Sequence, residues 1–389
     1  MMGAKIVTLA NVHSKLLGNS REVYVYLPPS YAESKNRRYP VLYAQDGQHM
    51  FASDAKGDSW EMHQTAERLS REGRMEEVII VAVSSISDQR GSEYFHNHPG
   101  VREAFHTTCK GELYELFTTA CTDGTNQQEP LIEQKVYHSF PVKPPSLRVW
   151  VDIGGAEGLI MPRHVRAFVD EMIESGFTPG EDLMFLLDET AGHSQADWAR
   201  RLHRPLMYLF GEIGRPCSLR LAGRRQVGLE GYRVRLYPKV TYDTGFEMSL
   251  LTAEYKVDCP EVLTVGSNGL IVPLASGKAD VAVQFGGLTG TANIEVIPEL
   301  SDHVQVEISV TVPPSTPADA QIHAGFEIPK VRDGFYQGSF LLPRDLAFDV
   351  KVSRGFGCHE RRKTSRRFDT SEPVRLHFNV EEWEDDSTS

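Results

Sequence analysis

The chain has 389 residues, too many for one average core, so two or three domains are expected, each with its own apolar interior. Its 41 basic against 53 acidic residues give a formal net charge of -12, which repels polyanions and excludes nucleic-acid binding as a main function. The five cysteines, Cys109, Cys121, Cys217, Cys259 and Cys358, are odd in number and scattered without metal-ligand spacing. Free thiols in a reducing compartment, and neither metal nor cofactor, are the expectation. No leading apolar segment precedes the first strand-like run, and no apolar run is long enough to span a bilayer. A soluble, cytoplasmic protein with no membrane partner is therefore expected.

In chain order, residues 5–211 alternate strand-like and helix-like segments, the pattern of an α/β layered domain. Strands are predicted over 6–12, 22–27, 41–45, 78–83, 147–153 and 183–187. Helices are predicted over 61–71, 162–175 and 195–210. The runs at 41–43, 78–83 and 149–153 are continuously apolar, as in parallel strands covered on both faces. This predicts a mainly parallel sheet flanked by helices, with 41–45 and 78–83 adjacent and buried. In the second helix Val165, Phe168, Val169, Met172 and Ile173 recur at helical spacing and read as core.

Beyond Gly211 helical periodicity gives way to short alternating runs separated by Gly, Asn, Asp and Pro, so two small β-sandwiches are expected. The segment 260–294, with its Ser267-Asn-Gly and Gly277-Lys-Ala turns, resembles the bacterial Ig-like (group 2) domain. Residues 304–383, with a Val-x-Val-Pro strand, a Thr316-Pro turn and a terminal Trp383, look like a starch-binding-type carbohydrate module. That resemblance implies glycan binding by aromatic stacking, and Trp383, Phe335, Tyr336 and Phe356 are the rings on offer. A plain β-sandwich appendage is the other reading. The basic run Arg361, Arg362, Lys363, Arg366, Arg367 lies beside acidic residues and reads as a solvated loop. The expected division is 1–213, 214–299 and 300–384, with 385–389 as a disordered acidic tail.

Several separated motifs carry the chemistry. They are Ser20-Arg-Glu-Val-Tyr-Val-Tyr-Leu-Pro-Pro-Ser-Tyr31, Arg38-Tyr-Pro-Val-Leu-Tyr-Ala-Gln-Asp-Gly-Gln48, Arg90-Gly-Ser-Glu-Tyr94, Leu147-Arg-Val-Trp-Val-Asp-Ile-Gly-Gly-Ala-Glu157 and Gly192-His-Ser-Gln-Ala-Asp-Trp-Ala-Arg-Arg-Leu202. In this order they resemble the enterochelin-esterase-like esterase family of α/β-hydrolases. The resemblance implies hydrolysis of small-molecule carboxylic esters by a serine, a histidine and an acid. His193, just past the last strand and before a helix, matches the general base, and Glu157 matches the triad acid, with Asp152 and Asp188 as weaker choices. The turn Asp46, Gly47, Gln48 after a buried strand matches the oxyanion-hole turn, and Arg90 belongs to the substrate side of the site.

The nucleophile is missing from this pattern. No Gly-x-Ser-x-Gly occurs in the sequence, and the interval 95–146, where the family places its elbow, is too short for a strand, the nucleophile helix and a further strand. One βαβ unit alone takes about 30 residues or more. Cys121 is a weak substitute, and Ser84, Ser85 and Ser139 have no elbow context. The expected outcome is an esterase by descent, catalytically impaired. The alternative is a non-catalytic glycan- or protein-binding chain using its β-modules.

Overall fold

The structure is a computed structural model that describes residues 4–386 apart from 16, 35, 54–58, 87–145, 158–160 and 356–357. The first region comprises β1 (Lys5–Ser14), β2 (Asn19–Leu27), β3 (Val41–Gln45), α1 (Met62–Arg71), β4 (Ile79–Val83), β5 (Val149–Ala156), α2 (Met161–Glu174), β6 (Leu183–Gly192), α3 (Gln195–Arg201) and α4 (His203–Phe210). One sheet has the order β1-β2-β4-β3, with β3 and β4 parallel and the other pairs antiparallel. β5 and β6 form a separate parallel pair.

The single mainly parallel sheet expected from the sequence is thus represented, among the described residues, by two parallel pairs in two sheets. β3 does lie beside β4, with Val41 opposite Ile79 and Gln45 opposite Val83. Among the described residues it pairs with β4 alone, and Tyr43 is 74 % exposed. A continuous apolar run shows that a strand's faces can be covered, but carries no information about whether both backbone edges are paired.

The predicted helix over 195–210 is broken at Leu202 into α3 and α4. Pro205 is the cause, because it has no N–H to give the Arg201 carbonyl and its ring crowds that position. Leu202 bonds back only to Ala199, at 3.4 Å, before the chain restarts.

Alternation along β5 and β6 sends side chains into two cores. Trp150, Met184 and Leu186 pack with Leu69 of α1, Ile80 of β4 and Leu206 and Met207 of α4. Val149, Val151, Ile153, Leu183 and Phe185 face the other way, onto Phe168, Val169 and Met172 of α2. Both faces of the pair are therefore covered, as parallel strands require.

Beyond Gly211 come β7 (Pro216–Ala222), β8 (Gln226–Gly231), β9 (Tyr237–Tyr242) and β10 (Glu247–Ser249), with β9 central in the sheet β10-β9-β7. Val240, Tyr242, Phe246 and Met248 from this sheet join the first core beside Leu69 and Ile80. Strands Gly277–Phe285 and Leu288–Leu300 form an antiparallel pair, and β8 adds to the latter in parallel. A separate cluster including Val227, Leu263, Val281 and Ile294 fills this body. In the last module His303–Thr311 lies between Phe335–Pro343 and Val374–Asn379, over a core that includes Ile308, Phe348 and Trp383. Asp385 and Asp386, placed by the sequence in a disordered tail, are held in the structure. Asp385 pairs with Arg354, and Asp386 accepts from Ser315 Oγ and the Trp383 N–H.

Candidate active site

The site begins with two glycines that allow two strands to close up. A Cβ on Gly154 would lie 2.4 Å from the Ala191 carbonyl oxygen, and one on Gly155 would lie 2.5 Å from that of Glu189. With hydrogen there instead, the C-terminal ends of β5 and β6 press together. The residues that follow those ends are Glu157 and His193.

Glu157 is 7 % exposed and divides its oxygens between two tasks. Oε1 accepts from the Gly154 N–H at 2.9 Å and from Arg201 Nη2 at 2.5 Å. Oε2 lies 3.1 Å from His193 Nδ1. Burial alone would raise the carboxyl, but the hydrogen bond with His193, the charge and hydrogen bond of Arg201 and the Gly154 N–H outweigh it and hold the group below the usual carboxylate range. An ionised carboxylate only accepts hydrogen bonds, so the proton between the two residues belongs on Nδ1. In the neutral imidazole this leaves the Nε2 lone pair open, on a side chain that is 73 % exposed.

Arg201, on α3, is 3 % exposed and spans two acids, Glu157 through Nη2 and Asp152 through Nε at 2.5 Å. Asp152 also accepts from the Trp150 indole N–H at 2.6 Å. Asp188 accepts from Arg200 at 2.9 Å and from the Thr190 hydroxyl at 3.2 Å. These partners occupy the two weaker acid candidates, and Glu157 is the carboxylate on His193.

The oxyanion-turn candidates follow β3. Asp46 is left-handed at φ 51°, and Gly47 starts a short 3-10 turn. A Cβ on Gly47 would lie 2.6 Å from the carbonyl carbon and oxygen of Ala82, so only glycine lets this turn sit against β4. The Gln48 side chain is spent on Ser85, giving Nε2 to its Oγ at 2.8 Å and accepting its N–H at 3.1 Å. Aromatic rings connect this turn to the histidine. Trp60 donates its backbone N–H to the His49 carbonyl at 3.0 Å and its ring stacks on Trp198 at 5.4 Å, and Trp198 meets His193 edge to face at 4.6 Å.

Arg90, Cys121 and Ser139 lie outside the described residues. Each described serine near the site has another task. The Ser84 hydroxyl donates to the Glu22 carbonyl at 2.8 Å, Ser85 holds Gln48, and Ser59 donates to the His49 carbonyl at 3.3 Å. Ser194, inside the small-residue sequence Gly192-His-Ser-Gln-Ala196, lies between β6 and α3 but has extended dihedrals of -140° and 150°. It accepts the Asp197 N–H at 3.1 Å, an ordinary helix N-cap and not a strained elbow.

Arg201 and the Trp60–Trp198 stack are the parts of the site that the sequence reading missed. Arg201 stands within the histidine motif itself, but its burial between two acids depends on where α3 lands. The carbohydrate-module ring fares differently, since Trp383 is 0 % exposed and gives its indole N–H to Thr316 Oγ1 at 2.8 Å. Tyr336 is buried too, and Phe356 lies outside the described residues. No group of three or more metal-ligating side chains and no helix long and apolar enough to cross a membrane occurs among the described residues.

Residues 14–122 match the family described as "Putative esterase", and residues 251–297 match the bacterial Ig-like domain. No curated protein matches the chain. Similar solved structures include the enterobactin esterase FES from Shigella flexneri, crystallised with 2,3-di-hydroxy-N-benzoyl-serine, at 16 % identity over 54 % of this chain and 59 % of that one, with a TM-score of 0.37. An IroE-like serine hydrolase from Shewanella oneidensis is 15 % identical over 53 % of this chain and 80 % of that one, at 0.34. A CE1 ferulic acid esterase from Anaeromyces mucronatus in complex with ferulic acid is 13 % identical over 53 % and 91 %, at 0.35. At such scores nothing about this chain's chemistry follows from the superpositions. The chain thus carries a segment that matches an esterase family model and, after it, one that matches an Ig-like model.

Proposed function

We propose that residues 1–213 descend from enterochelin-esterase-like carboxylic ester hydrolases, keep a base and its acid in His193 and Glu157, and turn over small-molecule esters poorly for want of a serine elbow. The observation that carries this reading is the 3.1 Å contact between His193 Nδ1 and a Glu157 carboxylate kept ionised, against its burial, by that hydrogen bond and by Arg201. That contact fixes the tautomer and leaves Nε2 outward as a proton acceptor.

The chemistry left to such a pair is water activation. Nε2 takes a proton as a water oxygen bonds to the ester carbonyl carbon, Glu157 stabilises the resulting imidazolium, and the same proton passes to the departing alkoxide as the acyl C–O bond breaks. A covalent acyl-enzyme plays no part, so most of the acceleration of a complete triad is forfeited. The alternative, a non-catalytic chain that holds a glycan through its β-modules, has less support, because the one tryptophan of the last module is sealed in its core.

The test is hydrolysis of p-nitrophenyl acetate and butyrate, together with labelling by a fluorophosphonate. Turnover close to the buffer rate, lowered further by His193→Ala, with no labelled serine, is the expected result. Stoichiometric labelling of a serine that is lost in His193→Ala would overturn the impaired reading and reveal an unorthodox nucleophile.

A further inference from the structure

The histidine loop is not held by its own domain alone. Gly192, immediately before His193, lies against the last module so tightly that a Cβ on it would sit 2.7 Å from Asp349 Oδ2 and 3.2 Å from Asp349 Cβ. The same Asp349 oxygen accepts from Arg367 Nε at 2.8 Å and lies 2.7 Å from Arg367 Nη2. Arg367 Nη1 donates to the Thr190 carbonyl at 3.1 Å, and Nη2 is 3.8 Å from Asp197 Oδ2. That Asp197 oxygen accepts the Gly192 N–H at 2.9 Å and the Ser194 hydroxyl at 3.0 Å. One guanidinium from the last module therefore ties together both flanks of His193. The docking continues to either side. Arg163 Nη2, on α2, donates to the Arg344 carbonyl at 3.3 Å, and Arg224 pairs with Asp345 and Glu372, each at 3.2 Å.

We propose that the last β-module serves as an intramolecular brace for the histidine loop, with Asp349 and Arg367 as its positioning residues. The basic run at 361–367 then has a purpose other than that of a solvated loop. Arg361 pairs with Glu382 at 3.2 Å, Arg366 with Glu360 at 2.6 Å, and Arg367 reaches across to the esterase-like region. Two strands, Ala347–Val350 and Arg366–Asp369, form the small antiparallel sheet that presents Asp349 opposite Arg367. Without Arg367, Asp349 loses the cation that holds it beside Gly192, and Asp197 keeps only Arg200, at 3.2 Å. The brace is a statement about the loop's rigidity, and only its catalytic consequence rests on the proposed role of His193.

The experiment is amide hydrogen exchange on the intact chain, with Arg367→Ala and Asp349→Ala against wild type. Exchange of the amides of residues 189–194 is expected to quicken by about three- to tenfold, the worth of one ordinary hydrogen bond from a half-exposed guanidinium, while those of Val151 and Leu186 stay as they were. Arg375→Ala, which breaks an exposed pair with Glu307 in the same module, is expected to match wild type. Gly192→Ala drives a Cβ into the Asp349 carboxylate, so its added exchange is expected to be relieved by Asp349→Ala in the double variant. If Arg367→Ala does not fold, Arg367→Lys carries the same expectation, because a single ammonium does not hold Asp349 and the Thr190 carbonyl at once. The 15N shifts of the His193 ring give a second readout, in which loosening is expected to weaken the Nδ1-protonated signature. Unchanged exchange over 189–194 in folded Arg367 and Asp349 variants, or purely additive effects in the Gly192–Asp349 pair, would overturn the proposal. Ester turnover enters none of these outcomes, so they stand apart from the proposed hydrolase reading.

Discussion

Arg201 and Glu157 form an ion pair at 2.5 Å with both side chains almost wholly out of water, and the same guanidinium holds Asp152 at 2.5 Å. Removing the single cation leaves two carboxylates within a buried site and no countercharge for either. Arg201→Met is expected to lower the unfolding free energy by about 3–5 kcal/mol, the cost of stranding a buried charge, in a urea titration. A loss below about 1 kcal/mol would place Arg201 among ordinary exposed pairs and undo the account of how Glu157 is held.

The same carboxylate makes stability depend on pH with a defined sign. The folded-state pKa of Glu157 is depressed, since its hydrogen bonds and the Arg201 charge overcome the opposing effect of burial. Its contribution is therefore fully present above the unfolded glutamate value of about 4.3 and disappears as pH falls through the folded value. The stability gap between wild type and Glu157→Gln is expected to hold steady above about pH 5 and to close on further acidification. Unfolding titrations of both proteins across that range check this, and a gap that widens in acid would reverse the sign.

Gly47→Ala tests the turn at 46–48 as a packing element. Its new Cβ would meet the Ala82 backbone, which has no flexible end to swing aside. A loss of about 1–3 kcal/mol is expected, visible as a lowered midpoint in thermal melts, because β3 or β4 must shift to admit the methyl group. A melt coincident with wild type would mean that the turn sits further from β4.

Trp383 distinguishes core from ligand contact. Its ring is enclosed and its N–H is satisfied by Thr316, so Trp383→Ala is expected to cost about 3–5 kcal/mol. No retardation of the wild-type chain by soluble starch is expected in an affinity gel. Retardation abolished by Trp383→Phe would show instead that this ring reaches a sugar.

Much of the first region could be read from residue pattern. The strand at 41–45 has the bounds the sequence predicted, the α2 face of Val165, Phe168, Val169 and Met172 is buried as its spacing implies, and β6 runs five residues further than its apolar stretch suggested. The α3–α4 break is signalled by Pro205, but the apolar periodicity continues across it and reads as one helix. The burial of Arg201 was not legible. It depends on what lies beside the helix in space, and an arginine on a helix looks the same in sequence whether it faces water or two acids. The His193–Glu157 pairing came from the family resemblance, since spacing of 36 residues says nothing about contact.

The arrangement around Arg201 also separates two kinds of selection. Glu157, Arg201 and Asp152 answer to folding, because losing the arginine strands two acids and losing either acid removes half of the buried cation's pairing, whether or not an ester is ever cleaved. His193, with most of its side chain in solvent, lies outside that constraint, and only the activity proposed for it would hold it in place. In descendants of a chain like this one, drift at the histidine beside an unchanging acid and arginine would mark a lineage in which the proposed reaction has been abandoned while the fold is kept.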